Sequence, residues 1–240
     1  MNKLFSALAA ASFLTVAGAG AHAAVLVPEC NSCNTALAGS FAVKIWSADT
    51  KDSNINSASQ QALPTNPIVT NQNMVGSGVY TGAIDFNYDP SRGTPTVGGF
   101  FNSGTGSYTG TGTSATLSKT GFSHATIIEF SFTIANALTN ITISHDDGVS
   151  LFNVNNLSTD LLPNSAAAPT NAADTKLTTL AAGTYNLWYA EVNGVPAVLC
   201  FDPTNVVPAT LPTATPEPAS LALLGMGLAT VGFVRRRRAA

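Results

Sequence analysis

The stretch "ATIIEFSFTIANALTNITISHDDGVSLFNV" (residues 125–154) decides the fold. In its first ten residues the apolar Ile128, Phe130 and Phe132 alternate with the polar Glu129 and Ser131. A period of two is typical of a β-strand with one buried face. Two more strand-like runs follow after short polar breaks, so the stretch predicts consecutive antiparallel strands.

The same alternation recurs along the chain, and Gly, Asn and Asp turns separate the runs. No stretch between residues 24 and 210 has the pattern of a convincing amphipathic helix. The pattern predicts an all-β fold, a single antiparallel β-sandwich or jelly-roll-like domain over residues 24–201. The other predicted strands are residues 41–46, 79–88, 138–144, 149–154, 185–192 and 195–201.

A Gly/Ser/Thr-rich segment, residues 102–121, interrupts this order. Its composition fits a flexible linker between two small domains, or a long loop or glycine-rich strand pair inside one domain. The second interpretation is favoured, because neither half of the chain is large enough to bury a core alone.

The N-terminus has the pattern of a secretory signal peptide, residues 1–23. Lys3 precedes an apolar run over residues 4–20, and "AHA" at 21–23 supplies the small residues of a cleavage site. A first transmembrane helix is the alternative, but the run is short and ends in this cleavage pattern.

The C-terminus combines a Pro/Thr-rich linker (202–215), a Pro-Glu-Pro step, an apolar run predicted to be a helix (219–234) and four arginines. The apolar run is shorter than the roughly 20 residues of a comfortable membrane span. A basic nucleic-acid-binding tail and a permanent anchor are the alternatives, and predicted export disfavours the first. The residues of the step and the basic block are Pro216, Glu217, Pro218, Arg235, Arg236, Arg237 and Arg238.

These three features, in this order, resemble a PEP-CTERM sorting signal. The resemblance implies export by the Sec machinery of a Gram-negative bacterium, transient anchoring in the inner membrane, and processing by an exosortase near the Pro-Glu-Pro step. It further implies release to the cell surface or to an extracellular exopolysaccharide matrix, as in biofilms.

The charge of the exported part argues against a nucleic-acid partner. Between residues 24 and 216 the chain has twelve acidic and five basic residues, a net charge near −7, against −3 for the whole chain. Such a domain repels phosphate backbones but is compatible with divalent cations.

The three cysteines, Cys30, Cys33 and Cys200, all lie in the exported part. No βαβ pattern surrounds Cys30 and Cys33, so a redox pair is disfavoured and a disulfide to Cys200 is favoured. The sequence does not decide which of the two N-terminal cysteines pairs with Cys200.

Asp146-Asp147-Gly148 stands between two apolar runs. Asp-Gly in this position is typical of a tight hairpin turn, which is the simpler interpretation. A turn needs only one Asp, however, and two neighbouring carboxylates repel each other. A bound cation with a preference for oxygen ligands would relieve that repulsion.

The order of these elements, followed by "LAAGTYNLWYAEVNGVPAVLCF" (180–201), resembles the protective-antigen-type β-sandwich domain, whose adhesin branch includes yeast flocculins. The resemblance is clearest over 125–201. It implies that Asp146 and Asp147 hold a calcium ion, that Asn193 completes the site, and that the ion binds sugar hydroxyls.

Aromatic and histidine side chains are further candidates. Trp188 and Tyr189, with Trp46, suit either a sugar-stacking platform or the core. Of the two histidines after residue 24, His124 and His145, the second lies beside Asp146 and suits either a metal ligand or a satisfied surface residue at a strand end.

The chain has no nucleophile elbow, metalloprotease His-Glu pattern or phosphate loop, and adjacent carboxylates are not a glycosidase pair. The sequence therefore predicts a non-enzymatic, exported surface or matrix protein, with calcium-assisted binding of exopolysaccharide or another glycan. A purely structural matrix protein is the alternative, and a polysaccharide-acting enzyme has less support.

Overall fold

The computed structural model describes residues 33, 35–52, 54, 56–90, 94–167 and 172–204. The predicted signal peptide, Cys30, the linker from residue 205 onward and the sorting segment at 216–240 lie outside the described residues.

Among the described residues, ten strands form two antiparallel sheets, and the prediction of an all-β sandwich is confirmed. The six-stranded sheet has the order β4-β2-β1-β5-β9-β7 and the four-stranded sheet the order β3-β10-β6-β8. The elements are β1 (Ala38–Asp49), β2 (Met74–Ala83), β3 (Asp85–Tyr88), α1 (Val97–Ser103), β4 (Ser107–Gly110), β5 (His124–Ile134), β6 (Leu138–Asp146), β7 (Gly148–Asn153), β8 (Ala173–Leu180), β9 (Gly183–Glu191) and β10 (Ala197–Pro203), with a short 3-10 turn at Ala58–Gln60.

Aromatic side chains fill the space between the sheets. Phe130 of β5 packs edge-on against Phe41 of β1, with ring centroids 6.4 Å apart, and stacks on Phe86 of β3 at 5.8 Å. All three are at most 1% exposed, and burying a phenylalanine stabilises a fold by about 1.5–3 kcal/mol. The alternation of the sequence therefore places one face of each strand in this core.

The sequence pattern misses helix α1, which closes one part of the core. Its N-cap Thr96 accepts a hydrogen bond from the backbone N–H of Gly99, and Phe100 and Phe101 are buried. Seven residues with two glycines are too short and too weakly periodic to be recognised as a helix.

A second apolar cluster covers the outer face of the six-stranded sheet. Trp46 and Trp188 stack with ring centroids 5.6 Å apart, and Ala62 and Ile68 pack in the same cluster. The segment between β1 and β2, which carries Ala62 and Ile68, therefore packs against this face of the sheet.

The Gly/Ser/Thr-rich segment contributes a glycine-rich strand pair inside the domain, and the linker interpretation is wrong. Strand β4 pairs with β2, and Gly78 lies opposite Gly110. A Cβ built on Gly78 would lie 2.7 Å from the Cα of Gly110, so the two strands approach too closely for a side chain there.

Three other sequence expectations need correction. The predicted strand 79–88 is divided at Ile84 into β2 and β3, which belong to different sheets. Strand β8 was not predicted. The last strand continues to Pro203, so the domain ends beyond the predicted boundary at residue 201.

The two ends of the domain are joined. A disulfide links Cys33 to Cys200, with their Cα atoms 6.4 Å apart. Beside it, the hydroxyl of Thr35 donates a 2.6 Å hydrogen bond to the carboxylate of Asp202. Within the described ranges, no helix is long and apolar enough to cross a membrane.

Candidate metal centre at the Asp-Asp-Gly turn

The Asp146–Asp147 pair lies where the chain passes from one sheet to the other. Asp146 ends β6 in the four-stranded sheet, and Gly148 begins β7 in the six-stranded sheet. The two strands do not pair, so the expectation of a tight hairpin is wrong. The peptide bond between the two aspartates is cis.

Asp147 is fully buried, and only one of its two carboxylate oxygens has a hydrogen-bond partner. The backbone N–H of Val192 donates to Oδ2 at 2.7 Å, whereas Oδ1 has none. The backbone N–H of Asn193 also lies against this carboxylate and acts to lower its pKa. The structure thus brings the backbone of Asn193 beside the two aspartates that the sequence resemblance named with it.

A third carboxylate, Glu191, lies close by and was not predicted. It is fully buried, and its Oε1 has no partner. Its position in "YNLWYAEV" places it on the same strand face as Tyr185, Leu187 and Tyr189. A charged residue at a core-facing position of a period-2 strand is the signal that could have revealed it.

Tyr189 connects Glu191 with the aspartate turn. Its hydroxyl lies within hydrogen-bond distance of the Asp146 carbonyl and 2.8 Å from Glu191 Oε2. A hydroxyl donates only one hydrogen, and a carbonyl can only accept. Both contacts are therefore satisfied when the Glu191 carboxyl carries a proton and donates it to Tyr189.

Burial dominates the electrostatics of these groups. It raises the pKa of Asp146 to about 6 and, with the neighbouring Asp146 charge, holds the pKa of Asp147 well above its ordinary value. Burial and the Asp147 charge likewise raise the pKa of Glu191. Desolvation disfavours each charged form, so all three groups need a proton or a counter-charge.

No cationic side chain of the described residues supplies that counter-charge. Their ion pairs join Lys44 to Glu129 and join Lys119 and His124 to Asp49. The described part also contains no cluster of three or more His, Cys, Asp or Glu side chains at metal-ligand spacing. A cation at the turn would therefore need amide and carbonyl oxygens beside the two aspartates, which is the ligand type that calcium accepts.

His145 supports the turn from behind. Its Nδ1 donates to the Asp147 carbonyl at 2.6 Å, and its Nε2 lies 2.9 Å from the Thr175 hydroxyl. Burial lowers the pKa of this histidine. Both ring nitrogens are engaged, so His145 positions the backbone of Asp147 and has no free nitrogen for a metal.

The predicted sugar-contact role of Trp188 and Tyr189 needs correction. Trp188 is 5% exposed and stacks on Trp46, and Tyr189 is fully buried, with its ring 5.4 Å from that of Phe100. Neither ring presents a face to solvent, because both β9 faces are covered, one by the sandwich core and the other by the outer apolar cluster.

His124 takes part in a row of three polar groups that sequence reasoning missed. Its Nδ1 lies 2.7 Å from Asp49 Oδ1, and its Nε2 lies 3.0 Å from Ser47 Oγ. The order resembles a serine-hydrolase triad. However, the Ser47 hydroxyl donates its hydrogen to the Thr116 carbonyl at 2.9 Å, so that hydrogen is directed away from the histidine that would have to accept it. The row therefore serves to hold the segment after β4 against β1.

Comparison with known proteins adds a sorting motif and a general fold likeness. Residues 214–238 match the family model of the PEP-CTERM protein-sorting motif. Among curated proteins, no sequence relative is found.

Two solved structures are similar in outline. The PA14 domain of the MpAFP antifreeze protein has 16% identity and a TM-score of 0.37, covering 71% of this chain and 82% of that one. A PA14 sugar-binding domain from an RTX adhesin has 10% identity and a TM-score of 0.41, covering 69% and 88%. Neither supports an argument about ligands in this chain.

The chain is thus an all-β sandwich protein with a buried acidic turn, and it carries a PEP-CTERM sorting motif. The motif indicates exosortase-processed export and a surface or extracellular location.

Proposed function

We propose that this protein is a calcium-assisted carbohydrate-binding module that acts at the surface or in the matrix of the exporting cell. Its ligand is an exopolysaccharide or another glycan rich in adjacent hydroxyl groups. Asp146 and Asp147 provide the anionic ligands, and the side chain of Asn193 provides an amide oxygen.

One observation carries the proposal: Asp147 is fully buried, yet its Oδ1 has no hydrogen-bond partner. Its described neighbours include two further acidic groups, Asp146 and Glu191, and no cationic side chain forms an ion pair with them. Burying an uncompensated carboxylate costs several kcal/mol. A proton shared by Asp146 and Asp147 offsets this cost at low pH, and a bound cation offsets it where the carboxylates are ionised. Calcium would neutralise the pair and present open coordination positions to sugar oxygens.

The surrounding residues prepare the turn for this role. His145 fixes the Asp147 carbonyl, Tyr189 contacts the Asp146 carbonyl, and the Val192 N–H holds Asp147 Oδ2. These hydrogen bonds fix the backbone of the turn and the carboxylate of Asp147 before any ion arrives, which lowers the ordering cost of binding. The apolar packing on β9 excludes water from the back of the site.

The sorting motif and the predicted signal peptide support a location outside the cell. We propose export through the Sec machinery of a Gram-negative bacterium and transient anchoring in the inner membrane by residues 219–234. The exosortase then acts near Pro216-Glu217-Pro218. The near −7 charge of the exported part fits a calcium bridge to a glycan better than direct contact with an anionic polymer.

A retention assay tests the proposal. The exopolysaccharide of the exporting cell is immobilised, and the purified protein is passed over it once with calcium and once with a chelator. We expect retention in calcium, release by the chelator, and no retention of Asp147→Asn. The matched control Asp89→Asn changes an exposed aspartate that makes no hydrogen bond to another described residue, and should behave as wild type.

Calcium-dependent melting without retention on any glycan of an array would contradict the sugar-binding part of the proposal. It would leave a structural matrix protein with a calcium-stabilised fold.

A further inference from the structure

The segment between β4 and β5 packs directly against the loop that carries Asn193. We call residues 116–121 the brace loop. The hydroxyl of Ser118 donates a 3.0 Å hydrogen bond to the Gly194 carbonyl, and Ser118 is fully buried. Its hydroxyl also lies near the carboxylate of Glu191. Thr120 lies alongside, since a Cβ on Gly194 would stand 4.0 Å from its Cα.

The brace loop is itself held to the six-stranded sheet. The Thr116 carbonyl accepts hydrogen bonds from Ser47 Oγ at 2.9 Å and Thr126 Oγ1 at 3.1 Å. Three residues further on, Lys119 Nζ lies 2.6 Å from Asp49 Oδ1. Ser118 therefore donates from a support that is fixed on both sides.

The Asn193 loop depends on such a support. Gly194 has φ +120°, a conformation that residues with a side chain rarely adopt. Ordinary backbone preference therefore does not fix the conformation of the loop at this residue. On one side, Asp147 Oδ2 accepts a hydrogen bond from the Val192 N–H, and the Asn193 N–H lies against the same carboxylate. On the other side, the Gly194 carbonyl is held by Ser118.

We propose that Ser118 is a positioning residue of the calcium site, which fixes the Asn193–Gly194 peptide so that the Asn193 side chain meets the ion beside Asp147. This inference rests on the proposed function. It gives the end of the Gly/Ser/Thr-rich segment a role in binding, because this segment holds the loop that carries Asn193.

Calcium titration of the purified protein by calorimetry, with thermal melts in chelator and in saturating calcium, tests the proposal. Loss of the Ser118 hydrogen bond is expected to weaken calcium binding about tenfold, the equivalent of a net hydrogen bond at the upper end of the usual range. Ser118→Ala should therefore have a raised Kd and a smaller calcium-induced rise in Tm. Ser118→Thr, which keeps the hydroxyl, should restore both.

Ser114→Ala is the matched control, because Ser114 is an exposed serine of the same segment for which the structure shows no side-chain hydrogen bond. It should bind calcium as wild type does. If Ser118→Ala lowers the Tm equally in chelator and in calcium and leaves the Kd unchanged, Ser118 is only structural and the inference is wrong. If Ser118→Ala does not fold, a Ser118→Thr variant with wild-type Tm in chelator and a tenfold weaker Kd would also overturn it. An absence of calcium binding by the wild type would instead overturn the proposed function itself.

Discussion

At the scale of single residues, the acidic turn should make calcium-free stability depend on pH. The raised pKa values of Asp146, Asp147 and Glu191 mean that the folded state holds more protons than the unfolded state between about pH 4 and values above 6. The three carboxyl groups contribute fully to stability below the pKa that they have in the unfolded chain. This contribution is lost as the pH rises through their raised pKa values in the folded state. The lowered pKa of His145 acts in the opposite direction, but one imidazole opposes three carboxyl groups, so the calcium-free protein should melt at a higher temperature at pH 5 than at pH 7.5.

Calcium should reverse this dependence, because the ion binds the deprotonated carboxylates and its affinity rises with pH. Melting curves at both pH values, with chelator and with calcium, measure the effect. Asp147→Asn removes the most deeply buried aspartate charge, so its calcium-free melts should vary less with pH than those of the wild type. Equal melting temperatures of the wild type at both pH values in chelator would contradict the assigned pKa directions.

At the scale of elements, the close approach of β2 and β4 predicts an intolerance of side chains. Gly78→Ala places a methyl group 2.7 Å from the Gly110 Cα, so the strands must separate. We expect a loss of about 1–3 kcal/mol in the free energy of unfolding, measured by denaturant titration. Gly39→Ala in β1 is the control, because its methyl group would meet nothing closer than 3.8 Å. Equal stability of the two variants would refute the close approach.

The elements also show what a period-2 pattern can and cannot reveal. Strands such as β5 and β9 were predictable because bulky apolar residues mark one face. Strand β4 has only four residues, Ser107–Gly110, and Tyr108 is the only large one, so it shows no hydropathy contrast. Strand β8 is an edge strand whose middle residues are Thr175, Lys176 and Leu177, and only its last residue, Leu180, is fully covered.

The candidate site was predictable in part for similar reasons. Two adjacent aspartates before a glycine stand out in a chain with 10% charged residues. Glu191 and Ser118 do not stand out, because their importance comes from neighbours that are distant in sequence. Ser118 lies 76 residues from the carbonyl it holds, a separation that no local pattern indicates.

At the scale of the whole molecule, the Cys33–Cys200 disulfide closes the domain at the point where the chain leaves it. The bridge spans a sequence separation of 167 residues. A loop of this length restricts the unfolded chain strongly, so Cys200→Ser should lower the free energy of unfolding by about 3–5 kcal/mol. Cys30→Ser leaves the bridge intact and serves as the control. Denaturant titration that finds Cys200→Ser as stable as wild type would show that the disulfide does not stabilise the domain.

The account as a whole depends on a cation at the Asp146–Asp147 turn. Calorimetric titration of the purified protein with calcium at pH 7.5, wild type against Asp147→Asn, tests this most directly. We predict saturable binding of one calcium ion by the wild type and none by Asp147→Asn, although the variant stays folded because its carboxamide can still accept from the Val192 N–H. An absence of calcium-dependent heat in the wild type, or equal binding by both proteins, would contradict the account.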